Sequence, residues 1–197
     1  MHDEQKNLTA VELNDVAELL ATERPDLLRF VARRLNSRLK ARVDASDIVQ
    51  ETFREAHRRF ADYVGTRPMP FDAWLRKLAY DRVNMELRRH IGAAQRSVER
   101  EALVCDDSEI LCAERFVADD TSPSGKLQRK ERVLAVRNAL ETLETIDREI
   151  LCLRMVDELP YEEIAGILDL EPATARKRYG RALVKLGDAL GTPEKFL

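Results

Sequence analysis

The stretch YEEIAGILDLEPATARKRYGRALVKLGDAL, Tyr161 to Leu190, divides into two helical patterns with a very short joint. In the first, Tyr161 to Leu168, the residues Ile164, Ala165 and Leu168 recur at helical spacing. Only Asp169, Leu170 and Glu171 separate it from the second, Pro172 to Leu190, which a proline opens at no cost because the first N–H of a helix has no intrahelical acceptor. Advancing about 100° per residue from Thr174, the side chains of Lys177, Arg178, Arg181 and Lys185 return to within roughly 60° of the start. Ala175, Tyr179, Ala182, Leu183, Leu186 and Leu190 gather instead on the arc from about 80° to about 180°. Two helices joined so tightly, the second with separate cationic and apolar faces, have the layout of a helix-turn-helix, whose second helix enters the major groove of DNA.

Outward from this unit, Ile146 to Met155 and Leu127 to Leu143 are also helical by spacing. Before them the composition shifts. Glu99, Glu101, Asp106, Asp107, Glu109, Glu114, Asp119 and Asp120 face only Arg100 and Arg115, and the run ends in Thr121-Ser122-Pro123-Ser124-Gly125. This pattern predicts a hinge between domains, with room for a short helix around Ile110 to Val117. Further back, a helix from Phe71 to His90 buries Phe71, Trp74, Leu75 and Leu78, and Gly65, Pro68 and Pro70 place a loop over Ala61 to Pro70. Asp44 and Ser46 suit the cap of another helix, in which Val49, Phe53, Ala56 and Phe60 form the apolar stripe. From Pro25, the residues Leu27, Leu28, Val31, Leu35 and Leu39 mark the first long helix, with arginines and Lys40 on its other faces.

The expected fold is all-α: two small helical domains joined by an acidic linker. The boundaries are a lead-in at 1–24, a helical domain at 25–97, the linker at 98–126 and the helix-turn-helix domain at 127–197. A chain of 197 residues with 35% charged residues, 6% aromatics and only 7 Gly and 7 Pro favours amphipathic helices over turn-rich sheets. The formal net charge of −3 means that any DNA-binding charge must be segregated on one face. No apolar run approaches the ~18 residues of a membrane span and no secretion leader precedes the helices, so the expected location is the cytoplasm, with no membrane partner. Cys105, Cys112 and Cys152 lack the paired spacing of a zinc site and point to neither a disulfide framework nor a metal, and no cofactor is expected. His2, His57 and His90 are scattered, and no phosphate loop, HExxH or Ser/His/Asp arrangement argues for an enzyme.

On these residues the chain resembles the extracytoplasmic-function sigma factors of the sigma-70 family of RNA polymerase subunits. Asp47-Ile-Val-Gln-Glu-Thr-Phe53 is similar to the region 2 motif that docks on the clamp helices of the polymerase beta-prime subunit. The resemblance thereby assigns Asp47, Ile48, Gln50, Glu51 and Phe53 to polymerase binding. Phe71-x-x-Trp74-Leu75-x-x-Leu78-Ala79 followed by Leu87-Arg88-Arg89 looks like the helix that melts and reads the minus-ten element, implying roles for Arg76, Lys77, Tyr80, Asn84, Arg88 and Arg89. Phe71 and Trp74 share a face with Leu75 and Leu78 and read as core, leaving Tyr80 as the exposed stacking candidate. Leu159-Pro-Tyr-Glu-Glu-Ile-Ala165 and Glu171-Pro-Ala-Thr-Ala-Arg-Lys-Arg178 resemble region 4, implying that Thr174, Arg176, Lys177, Arg178, Arg181 and Lys185 read the minus-thirty-five element.

Three places depart from the family pattern: Asp81 and Met85 stand where Asn and Asp are common, and Glu171 where serine is usual. The partners implied are core RNA polymerase, through its beta-prime clamp and beta flap, promoter DNA, and an anti-sigma factor. A free-standing helix-turn-helix regulator is the alternative, for which the C-terminal half alone would suffice.

Overall fold

The computed structural model describes residues 2–35, 40, 42–92, 106–117 and 123–191. Among them every regular element is a helix: α1 (His2–Arg34), α2 (Ala45–Thr66), α3 (Phe71–Gly92), α4 (Asp106–Phe116), α5 (Pro123–Glu141), α6 (Thr145–Met155), α7 (Tyr161–Ile167) and α8 (Pro172–Ala189). Cys105, the acidic residues Glu99, Glu101, Asp119 and Asp120, and residues 36–39 and 41 lie outside the described residues.

Helix α1 does not begin at Pro25 but passes through it. Proline removes one backbone donor and ordinarily ends or bends a helix. Here Val16 and Leu20 before it and Leu27, Phe30 and Val31 after it are all buried in one cluster. The apolar stripe is continuous, and its burial holds the two segments in register. Helix α2 starts as its sequence predicts, with the Asp44 carboxylate accepting from the Ser46 N–H at 2.6 Å. It continues through Gly65 to Thr66, five residues beyond the start of the expected loop at Ala61. The break falls at Arg67, which adopts a left-handed φ of 38° in front of Pro68, whose ring disfavours helical backbone in its predecessor.

Helices α1 to α3 pack around an apolar centre, closed at one end by aromatics. Tyr63 stacks on Trp74 with ring centroids 4.5 Å apart, Phe71 meets both rings edge-on or tilted, and the Tyr63 hydroxyl donates to the Met69 carbonyl at 3.0 Å. A second cluster joins α4, α5, α6 and α8 through Cys112, Ala113, Val136, Leu140, Leu151, Ala182 and Leu186. The acidic segment is therefore not simply a hinge. Its helix α4 turns Cys112 and Ala113 into that core, and Ser108 donates its hydroxyl to the Arg33 carbonyl at 2.7 Å. Of its acidic residues Glu109 is itself buried near Arg148 and Glu114 is partly exposed, so a linker-like composition accompanies a packed helix.

The two-domain layout is present, and the two bodies are in contact. Ile150, Leu153, Leu159, Ile164 and Ile167 from the C-terminal body share one apolar cluster with the core of α1 to α3. Within this contact the Asp157 carboxylate binds Arg34 at 2.6 Å and Arg33 at 2.8 Å, with the Arg34 and Asp157 side chains each only 4% exposed.

Candidate nucleic-acid interface

The helix-turn-helix is built as its sequence predicts. Helices α7 and α8 are joined by 168–171, in which Asp169 takes a left-handed φ of 53° and the Leu170 N–H returns to the Ala165 carbonyl at 2.8 Å. Asp tolerates that backbone region better than most residues. Glu171 caps α8 by backbone alone, without a side-chain hydrogen bond, and Pro172 opens the helix. Ala175, Ala182 and Leu186 are completely buried, whereas Arg176, Lys177 and Arg181 are exposed and Thr174 is half-buried at the N-terminal end. The two faces separate as the 100° periodicity requires.

The cations of α8 are not equivalent. Arg178 donates to the buried Asp147 carboxylate at 2.9 Å and approaches Glu144 at 3.5 Å, and Lys185 donates to the other Asp147 oxygen at 2.9 Å. Hydrogen bonding to Asp147 raises the Arg178 pKa further, and the same contact raises that of Lys185. Arg178 therefore braces α8 against α6. Lys177 and Arg181 project outward, and Arg176 lies over the Tyr161 ring with its guanidinium carbon 5.2 Å from the centroid. Tyr161 in turn packs edge-on against Tyr179, fixing the angle between α7 and α8.

On α3, Arg88 and Arg89 are exposed near the C-terminal end. The N-terminal cations lie differently. Arg76 bridges Asp72 and Glu163, each at 2.8 Å, and Lys77 donates to Asp169 at 2.7 Å. Tyr80 is not an exposed stacking residue. It packs against the core, bonds Asn84, and burial pushes its hydroxyl pKa well up. One turn along from Arg76, it lies beside Glu149 of α6.

On α2, Asp47 and Gln50 are exposed, and Glu51 is partly exposed beside Arg54 and Arg82. Phe53 is half-buried. Ile48, which the resemblance assigned to the same surface, is 2% exposed because its position on the helix turns it into the core beside Val49 and Thr52. Cys112 and Cys152 are buried side by side, and their mutual contact and burial push the Cys152 thiol well up, keeping it protonated. Among the described residues no cluster of metal-ligating side chains occurs and no helix is long and apolar enough to cross a membrane.

Sequence periodicity missed the acidic residues that hold these cations: Asp147, Asp157 and Glu163. A signal was present for the first. Asp147, Arg148 and Glu149 are consecutive in a helix whose remaining residues are mostly apolar, and residues 100° apart cannot all share its solvent face. All are buried.

Residues 134–186 match the family described as Sigma-70, region 4, and residues 19–91 match Sigma-70 region 2. The ECF RNA polymerase sigma-E factor of Escherichia coli K12 is 30% identical over 144 residues, covering 71% of this chain and 70% of that protein. This chain belongs to the extracytoplasmic-function sigma factors. It directs promoter recognition and transcription initiation by RNA polymerase. The RNA polymerase sigma-H factor of Pseudomonas aeruginosa is 27% identical to this sigma factor over 147 residues, 75% of this chain and 73% of that protein. The structure of CnrH in complex with the cytosolic domain of CnrY shares its fold, with a TM-score of 0.50 and 20% identity over 90% of this chain and 88% of that one. The region 2 match begins upstream of Pro25, within the continuous helix α1.

Proposed function

We propose that this sigma factor grips polymerase through the outer face of α2 and reads the two promoter elements with separate helices. Asp47, Gln50 and Glu51, with Phe53 at the edge, form an acidic, hydrogen-bonding surface suited to the basic clamp helices of beta-prime; region 4 would meet the beta flap. Lys177 and Arg181 reach bases or phosphates of the minus-thirty-five element, with Thr174 and Arg176 at the helix entry, while Arg178 and Lys185 position the helix. Asn84, Arg88 and Arg89, joined by Arg76 and Lys77, hold the melted minus-ten strand. The protein acts in the cytoplasm, contributes no catalytic step of its own, and takes an anti-sigma protein as a further partner; the complex formed by CnrH supports that last role.

The observation that carries this reading is the split of α8 into a fully buried alanine and leucine face and an exposed Arg176, Lys177 and Arg181 face behind a short turn. The test pairs Lys177→Ala with Arg181→Ala. Run-off transcription by the reconstituted polymerase should fall at least about tenfold on promoters that depend on the upstream element, since each base-reading arginine is worth about 1–3 kcal/mol. Binding to core polymerase should be unchanged. Full transcription by the double variant would reject the assignment.

A further inference from the structure

The cations of α8 are held in different ways. Arg178 and Lys185 commit donors to the Asp147 carboxylate, Lys177 is exposed, and Arg181 reaches back to the Lys177 carbonyl at 3.4 Å. Arg176 differs from all of them. Its guanidinium carbon lies 5.2 Å from the centre of the Tyr161 ring, and among the described residues no carboxylate pairs with it. At about 100° per residue, Arg176 stands about 160° round the helix from Arg178, at the opposite edge of the exposed face.

The ring beneath it is a fixed surface. Tyr161 is the first residue of α7, directly after Pro160. Tyr179 meets its ring edge-on with centroids 5.8 Å apart, and the Tyr179 hydroxyl donates to the Met155 sulfur at 3.4 Å. Arg154 places its own guanidinium carbon 5.1 Å from the same ring centre while donating to the Leu159 carbonyl at 2.8 Å. Side chains of α6 and α8 thus converge on one half-buried tyrosine at the start of α7.

We infer that Tyr161 is a positioning residue for promoter reading: its ring holds the Arg176 guanidinium, with the N–H edge open, for a bidentate contact with a guanine of the upstream element. This inference rests on the reading of α8 given above and adds the residue that sets one of its base contacts.

The physical reason is the direction of the contact. A carboxylate occupies the N–H donors of arginine, whereas an aromatic face attracts the cation through the ring quadrupole and leaves those donors for another acceptor. The donors form a planar fork that matches the O6 and N7 acceptors of guanine in the major groove. A long side chain that is loose before binding loses rotamer freedom when it engages DNA; one already lying on a ring loses less. Arg176 is the fifth residue of α8, and the N-terminal part of a recognition helix is the part that meets base edges.

The test is transcription by polymerase reconstituted with the full chain, on templates randomised across the upstream element, with products counted by sequencing. Wild type should favour guanine at one position where Arg176→Ala shows no preference. Tyr161→Leu and Tyr161→Met, which remove the ring, should each weaken that preference about threefold, the scale of an exposed cation–π contact, and leave preferences at other positions as they were. Tyr161→Phe keeps the face and should retain the preference. Arg176→Lys keeps the charge without the fork, leaves the tyrosine untouched, and should lose the preference. In the Arg176→Ala background Tyr161→Leu should have no further effect, since the two side chains act as a unit. Melting temperatures show which variants fold, and the folded ring-less variant carries the reading. A uniform loss at every position without the ring, a Tyr161→Phe variant as impaired as Tyr161→Met, or additive effects of the pair overturns the inference. The Lys177→Ala, Arg181→Ala variant separates the two claims. If it loses dependence on the upstream element while Arg176→Ala alters no preference, the inference fails and the reading of α8 stands; if both variants transcribe as wild type does, the reading of α8 itself fails.

Discussion

Replacing Asp157 with Asn should cost the fold about 3 kcal/mol, and the figure follows from four distances and two exposures. The carboxylate takes hydrogen bonds from Arg34 at 2.6 Å and Arg33 at 2.8 Å, and the Arg34 and Asp157 side chains are each 4% exposed. Hydrogen bonds to charged groups contribute about 1.5–3 kcal/mol each, roughly twice a neutral bond. Asparagine keeps one acceptor oxygen but no charge, so part of one bond survives while the Arg34 guanidinium loses its counter-ion in a dry site. The Phe30 carbonyl at 3.2 Å and the Phe30 ring, 3.6 Å beneath the guanidinium, remain as partial compensation. Breaking one side of a buried pair usually costs about 3–5 kcal/mol, and this compensation places the variant at the lower end. For a chain of this size the melting temperature should drop by about 6–12 °C. The neighbouring Glu158, 72% exposed and 3.3 Å from Arg115, serves as the control. Glu158→Gln should change stability by no more than about 0.5 kcal/mol. Calorimetry and urea titration of the full chain read both. An Asp157→Asn variant within about 0.5 kcal/mol of wild type would refute the reasoning that this pair is a buried tie between the bodies.

Glu149 gives the contact a pH dependence. It is faced by Arg34 from α1, Tyr80 from α3, Glu109 from α4, Asp157 after α6, and Arg148 and Cys152 on its own helix, and burial pushes its carboxyl from 4.5 up to about 7. A raised pKa means that the folded chain holds the proton more tightly than the unfolded one, so its contribution is complete below about pH 4.5 and is lost as the pH rises through about 7. Stability measured from pH 5 to 8 should fall by up to about 3 kcal/mol, and Glu149→Gln should flatten the slope; an equally steep slope in that variant contradicts the assignment. Arg178→Ala should lower stability by about 1–3 kcal/mol, because it takes one partner from the buried Asp147, whereas Lys177→Ala should leave the melting temperature nearly unchanged; equal effects would reject the bracing role. Gly166→Ala should be neutral or stabilising by up to about 1 kcal/mol, since the helix gains and only the flexible end of Met69 must move. A loss of more than about 2 kcal/mol would show that the approach of α7 to the α2–α3 loop has no slack.

The helices were legible wherever one apolar stripe faced one core. Ala175, Ala182 and Leu186 on α8 and Leu75 and Leu78 on α3 are buried as their spacing requires. Legibility failed where a local signal was overruled by packing. Pro25 marks a helix start in isolation, but Val16 and Leu20 add buried surface upstream of it. The residues of α4 look like linker because acidic neighbours outnumber Cys112 and Ala113. At the candidate interfaces, residue type identified the cations but not their partners. Nothing in the spacing of Arg76 or Arg178 announces Glu163 or Asp147, because those pairs join positions 87 and 31 residues apart. Tyr80 was misplaced for a related reason. Part of its surroundings, Glu149, comes from a helix 69 residues further along the chain.

The central claim is that this chain selects where RNA polymerase begins. Transcription by purified core polymerase over a fragmented genomic library, with start sites mapped by sequencing, measures that selection directly. Added wild-type chain should yield a discrete set of starts sharing one upstream and one downstream element at fixed spacing, and those starts should vanish with the Lys177→Ala, Arg181→Ala variant. A start-site distribution identical to that of core polymerase alone, from a chain shown to be folded, would contradict the account.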